Sequence, residues 1–538
     1  MRPVKHRPAA GEKDKAPAHP PQRSTLRSVG LIATCTTAMI LNTFNVTALA
    51  IALPTIGRDL NIPEYRLQWI ISAYSLSSGC LLLFFGRLAD LYGRKLAFLF
   101  GAVVLGLFGL GCGFAKNEIA LDVLRGFQGI GAAACIPASL GMLAHAFPPS
   151  RMRSIAFATF GAGAPVGAAI GSTIGGVLTQ LTAKTWRSNF YFLTGLCALV
   201  FLGGLLTFDK DEPSTEPDRR VDWLGAFLVT AGLVLILFIL SDGSIAPHGW
   251  KTDYIIALIV VGVLLLVLYV AWEYFLERML EEPQRRWWTP PPLLKITLLG
   301  RAGGKLAVIL SIAFLEWCSF MSFTFWLQLY YQDYLGLTPI LTMVRLLPMF
   351  VTGVMCNVVV ALFVGRVPVV YLIAVGTLMT GTGNLLLALV NPAAPYWAFG
   401  FPAAIVSVFG ADFVFPSGTL FVAAVCLPHE QSVGGALFQT LTQLGSAFGL
   451  AITTIVYDSI LKKAARADGV SVNVHGTNAQ LSAYKDAFWA ACAFGFFGAI
   501  LAVVFLRRAG IVGHRGGTHT EVESQTTLPG EKAQDDGG

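Results

Sequence analysis

Apolar residues gather into fourteen long runs along this chain, separated by short polar turns. They cover about 28–55, 67–86, 96–115, 118–146, 153–179, 188–208, 222–242, 252–276, 304–332, 338–364, 368–390, 396–427, 432–460 and 484–506. A helix needs about 20 mostly apolar residues to cross the hydrocarbon core of a bilayer, so each run reads as one span. Glycine and proline interrupt several of them, which spanning helices tolerate where neighbours re-satisfy the freed backbone groups. The pattern predicts an all-α polytopic membrane protein. An even number of spans puts both chain ends on one side.

Basic residues choose the side. With both tails inside, 26 Lys and Arg fall on inner segments, ten on outer loops, and Arg125 and Arg345 within spans. Excess Lys and Arg mark the cytoplasmic face, so both termini are expected there. Two positively charged loops, 209–221 and 277–303, flank spans seven and eight. Six spans precede that pair and six follow it. The expected organisation is therefore an N-terminal six-helix half (28–208), an inserted helix pair with its loops (209–303) and a C-terminal six-helix half (304–506). The tails, 1–27 and 507–538, are polar and expected to be disordered and cytoplasmic.

Composition narrows the function. Charged residues are 13% of the chain, against roughly 25% in soluble domains. The net charge of +7 is spread over loops and tails, so no basic face is available to follow a nucleic acid. Nine cysteines lie in or beside apolar runs without a CxxC pair, and are expected to serve as small apolar residues. No HExxH occurs. The segment Gly300-Arg301-Ala302-Gly303-Gly304-Lys305-Leu306 has the wrong spacing for a phosphate-binding loop and lacks its Ser/Thr. An enzyme, a nucleotide-driven pump, a cofactor and a metal are therefore not expected.

Three segments carry more specific information. Between spans two and three stands Gly86-Arg87-Leu88-Ala89-Asp90-Leu91-Tyr92-Gly93-Arg94-Lys95. Its glycines permit a tight turn and close helix approach, and Asp90 is an anion suited to a helix N-terminus. Span four contains Leu124-Arg125-Gly126-Phe127-Gln128-Gly129. An arginine there faces a wet cavity or a partner, or else snorkels to the outer interface. Span five holds Gly163, Gly167, Gly171 and Gly175 at four-residue spacing, followed by Gly176, a stripe that lets another helix approach closely. Together these resemble the signature loop, the span-four arginine motif and the antiporter motif of the major facilitator superfamily. In the antiporter motif, Ser172 replaces the family proline between Gly171 and Gly175. Trp186-Arg187 and Phe190 match the fourteen-span drug:proton antiporter branch. Gln332, Pro339, Pro348, Gly410-Ala411-Asp412-Phe413 and Gln431 resemble the fungal subgroup of aminotriazole-resistance, boron-efflux and low-affinity ammonium transporters.

The resemblance implies two six-helix halves, plus the inserted pair, that alternate access to a central cavity. It also implies that spans one, four, nine and twelve line that cavity. Asn45, Arg125, Glu316 and Asp412 fall one to each of them. Asn45 replaces the aspartate with which the branch usually opens span one. It carries no proton, so Glu316 or Asp412 is expected to, with Arg125 as the countercharge; a structural hydrogen bond between helices is the other reading of each acid. Asn45, Gln128, Trp317 and Gln328 are candidates to line the substrate path. Around Glu316, the residues Trp317, Trp326, Gln328, Tyr330, Tyr331 and Gln332 suit an amphipathic or cationic solute; for Tyr330 and Tyr331 a membrane-interface belt is the preferred reading. The expected function is proton-coupled export of a small or amphipathic solute (drug, toxin or metabolite), with facilitated movement of ammonium or borate as the alternative. The expected partners are the solute, protons and the lipid bilayer. The expected state is a monomer in the plasma membrane, with the vacuolar membrane as the alternative.

Overall fold

The computed structural model describes residues 24–62, 64–211, 218–243, 246, 248–279, 289–468, 477–507 and 510–511. Nearly all of the two tails lies outside them. Among the described residues there is no strand, and fourteen helices are long and apolar enough to cross a membrane. They are α1 (Thr25–Leu60), α2 (Glu64–Tyr92), α3 (Arg94–Gly113), α4 (Glu118–Ala146), α5 (Arg151–Leu181), α6 (Arg187–Thr207) and α7 (Trp223–Asp242). Then follow α8 (Asp253–Met279), α9 (Lys305–Leu329), α10 (Pro339–Phe363), α11 (Val369–Ala388), α12 (Gly400–Val425), α13 (Gln431–Asp468) and α14 (Asn478–Phe505).

Local chemistry sets where these helices begin. Ser24, Asn117, Ser150, Asp222, Thr338 and Thr477 each accept a hydrogen bond from a backbone N–H in the first turn of the helix that follows. Such a cap satisfies a donor that the helix itself leaves free. One end differs from the hydropathy reading. The apolar run of span thirteen stops near 460, yet α13 continues to Asp468. Lys462, Lys463 and Arg466 ride on its last turns, where cations suit the helix C-terminus.

Helices α1–α6 pack among themselves, as do α9–α14. The halves meet where α13 lies on α2 and α4, and where α5 lies on α10 and α12. The glycine stripe of α5 explains its tight seam with α1. A Cβ on Gly167 would lie 2.5 Å from the Ile40 carbonyl oxygen, and one on Gly175 would lie 2.7 Å from Cα of Ala48. Gly163 and Gly171 face α1 in the same way, whereas Gly176 has ordinary room beside Ile51. Ser172, at the position of the family proline, hydrogen-bonds back to the Ala168 carbonyl at 2.8 Å and leaves α5 continuous. The inserted pair packs helix on helix and touches both halves, α2 on one side and α13 on the other.

Candidate functional site

The end of the bundle where α1 begins and α14 ends is called the tail side below. There the chain turns sharply between α2 and α3, at Gly93 with φ of 124°, a backbone region that disfavours residues with a Cβ. Asp211, from the stretch after α6, accepts hydrogen bonds from the N–H groups of Lys95 and Leu96 and so seals the start of α3. Asp90 sits at the N-terminus of α13. Its Oδ2 accepts from the Val433 N–H at 3.0 Å, and its Oδ1 accepts from Arg94 Nε at 3.0 Å and Nη2 at 2.8 Å. Arg94 Nε also donates to Ser432 Oγ at 3.1 Å. Gly86 permits this approach, because a Cβ there would come within 2.7 Å of Ala436 Cβ.

A second bridge between the halves stands beside the first. Arg153, buried at the start of α5, donates to the Ala423 carbonyl in the last turn of α12 at 2.8 Å. An anion thus meets one helix N-terminus and a cation meets a helix C-terminus, both favourable to the helix dipole. Sequence reasoning counted Arg153 only as a loop cation. Next to them, Glu430 accepts from Lys295 Nζ at 2.8 Å and Arg301 Nη1 at 2.6 Å. Burial alone would raise this carboxyl, but the Arg301 and Lys295 bonds prevail and hold it at about 2.

The four span polar residues do not meet at one place. Arg125 is fully buried inside the N-terminal half. Its Nε donates to the Ile70 carbonyl at 2.9 Å; its Nη1 donates to Asn45 Oδ1 at 2.9 Å and Gln128 Oε1 at 2.7 Å. The guanidinium also lies 4.5 Å from the centre of the Tyr74 ring. Three donors in this cluster, Arg125 Nη2, Asn45 Nδ2 and Gln128 Nε2, have no acceptor. The snorkelling reading of Arg125 therefore fails, and its bonds go to the N-terminal half rather than to Glu316 or Asp412.

Glu316 is fully buried within the C-terminal half. It faces Gly410 of α12 and Thr380 of α11, and a Cβ on Gly410 would collide with its carboxyl group. The Thr380 hydroxyl donates to the Ser407 carbonyl and accepts from the Gly410 N–H, and neither Glu316 oxygen has a hydrogen-bond partner. Asp412 lies instead at the seam of the halves. Its Oδ1 accepts from Asn357 Nδ2 of α10 at 2.6 Å. The bare Cα of Gly353 makes the room: a Cβ there would lie 2.7 Å from Asp412 Oδ2 and 3.0 Å from Pro165 of α5.

The proposed cavity wall also separates. Trp317 is half-buried with its ring 5.8 Å from that of Phe415, and Gln328 and Gln332 are exposed. Tyr330 and Tyr331 do not form an exposed interfacial belt: each is 2% exposed, in a cluster with Trp326, Tyr334 and Tyr484. At the end away from the tails, the indole N–H of Trp186 and the Arg187 guanidinium both donate to Asp59 Oδ2, at 3.0 and 2.5 Å. These two bonds hold the Asp59 carboxyl below the usual range. In the inserted pair, Asp222 caps α7, accepts from the Trp272 indole at 2.9 Å and stands close to buried Glu273 of α8. Sequence reading missed this acid pair, although Glu273 in an otherwise apolar span was a visible signal.

Comparison with known proteins fits this architecture. The profile of the Major Facilitator Superfamily matches residues 35–222 and 214–450. MFS-type transporter 1 of Pyricularia oryzae is 28% identical over 91% of this chain and 85% of its own. The low affinity ammonium transporter of Saccharomyces cerevisiae is 30% identical over 72% and 73%, and the puromycin resistance protein pur8 of Streptomyces alboniger is 32% identical over 78% and 80%. The human organic anion transporter MFSD10 shares the fold, with a TM-score of 0.63 and 14% identity over 90% of this chain and all of that one. With fourteen membrane-spanning helices and these relatives, the chain belongs to the major facilitator superfamily, among its drug-efflux-like members.

Proposed function

We propose that this protein exports a small or amphipathic solute in exchange for protons, by alternating access, with both termini cytoplasmic. The bridges Asp90–Val433 and Arg153–Ala423 then lie on the cytoplasmic side, where they hold the two halves together. The observation that carries the reading is the position of Asp412. It stands at the junction of α10 and α12 with α5, the seam that must open and close as the halves rock. A carboxyl whose contact with water changes with conformation changes its proton occupancy with conformation, and this couples the two. Glu316, enclosed by one half, is the second candidate. Arg125, Asn45 and Gln128 offer three unfilled donors, a place for an acceptor group of the solute. The puromycin-resistance relative supports an organic solute.

The test is uptake into proteoliposomes under an imposed pH gradient, using a substrate found first by growth of a deletion strain on drugs, borate and ammonium analogues. Asp412→Asn is expected to retain substrate exchange and to ignore the gradient. If Glu316→Gln does so instead, the proton belongs to Glu316. A wild type that ignores the gradient would remove the antiport reading. Facilitated movement of a small inorganic solute would then stand in its place, a reading favoured by the ammonium-transporting relative. Terminal tags that label from outside intact cells would reverse the orientation.

A further inference from the structure

At the end of the bundle away from the tails, the C-terminal half holds a partly open cavity of about 260 Å³ that the transport reading does not use. Here α9 passes into a π-helical turn, Tyr330–Tyr334, a local irregularity that is frequent at functional sites. Arg345, from the early part of α10, stands in the cavity wall. Its guanidinium carbon lies 5.4 Å from the centre of the Tyr331 ring and 5.3 Å from that of Tyr396. Tyr396 fixes the arginine backbone by donating to the Arg345 carbonyl at 2.7 Å. No carboxylate pairs with this guanidinium among the described residues. The Tyr331 hydroxyl also lines the cavity and has no hydrogen-bond partner, although the residue is only 2% exposed. Gly400 keeps the space open, because a Cβ there would collide with that hydroxyl and the Tyr396 ring. Leu387 and Phe399 supply apolar wall.

We infer that this cavity binds a small organic anion: one carboxylate carried on a flat apolar ring system. The carboxylate accepts from Arg345 and from the Tyr331 hydroxyl, and the ring lies against Leu387 and Phe399. A single cation suits a single negative charge, and a planar guanidinium suits a carboxylate in particular. The volume is just below the range of about 300–1,000 Å³ usual for drug-sized ligands, which limits the occupant to one or two rings. The site belongs to one half alone. It is therefore present in any conformation that preserves that half, and it is independent of the solute path between the halves.

Binding of 1-naphthoate to the purified full-length protein in nanodiscs tests this, with 1-naphthylmethanol as the neutral probe of the same shape. Saturable naphthoate binding is expected, weakened roughly tenfold or more in Arg345→Gln and several-fold in Tyr331→Phe, as loss of hydrogen bonds to a charged group implies. The alcohol is expected to bind weakly and equally to wild type and Arg345→Gln. If Arg345→Gln melts below wild type, Tyr331→Phe decides the matter, since it removes only an oxygen that has no partner within the protein. Absence of naphthoate binding by wild type overturns the inference. So does unchanged affinity in both variants, or an alcohol that binds as tightly as the acid.

Discussion

Asn45 changes the character of its surroundings more than its size suggests. It offers Arg125 one neutral oxygen at 2.9 Å where the aspartate usual in the resembling branch would offer a carboxylate, so the hydrogen bonds of this buried guanidinium go to carbonyl and amide oxygens. Asn45→Asp would place an anion within bonding distance of that cation. It is expected to stabilise the purified protein, because a buried charge without a countercharge is costly; a lower thermal midpoint would contradict this. Glu430 gives a pH-dependent case. Its folded value lies below the ordinary 4.5, so its contribution to stability is full above that value and is lost as pH falls from 4.5 toward about 2. Glu430→Gln should therefore melt below wild type at neutral pH, and the difference should close as the buffer approaches pH 2. A gap that stays constant down the same series would show that the Lys295 and Arg301 pairing is not its origin.

At the scale of helices, the α5 stripe makes a graded prediction. Gly167→Ala drives a methyl group into the backbone of α1 and should cost about 1–3 kcal/mol, as overpacking of a tight seam does. Gly176→Ala meets Ile51 at 3.7 Å, ordinary contact, and should be nearly neutral. Thermal melts of the two variants side by side check this, and equal losses would deny the stripe its special role. The number of helices, the stripe and the suitability of Asp90 for a helix N-terminus were all legible in the sequence. They depend on hydropathy, on four-residue spacing and on the attraction of a carboxylate to a helix N-terminus. The direction in which Glu316 points was not legible. Helix α9 is apolar on every side, so hydropathy does not fix its rotation about its own axis; the small Gly410 opposite decides it. Nor was Arg153 legible, since its partner is a carbonyl of Ala423, 270 positions away, and a backbone carbonyl leaves no mark in residue type. The cavity around Arg345 was not legible either, since a π-helical turn at Tyr330–Tyr334 has no signature in hydropathy.

For the molecule as a whole, the tail-side bridges would set the balance between the two arrangements of the proposed alternating-access cycle. Asp90→Asn keeps the shape of the side chain and removes the charge that holds Val433 and Arg94. Buried Cys426, at the end of α12 and packed against Gly434, reports on that region. Its labelling by a permeant maleimide, resolved by mass spectrometry, should become about two- to fivefold faster in Asp90→Asn, the effect of losing an interaction of about 0.3–1 kcal/mol. Unchanged labelling would mean that the remaining contacts, Arg153 first among them, hold the halves without it. The inserted pair adds a further consequence. Helix α7 stacks on α2 through Trp69 with Phe238 and Phe84 with Trp223, while it also touches α13 and carries the lipid-exposed α8 on its outer side. If the halves rock as proposed, α7, fastened by these rings to one half, would slide on the other and carry α8 with it through the surrounding acyl chains. Such a cycle would include a change in lateral footprint, and its rate is then expected to respond to the lateral pressure of the bilayer even when solute and pH are held fixed.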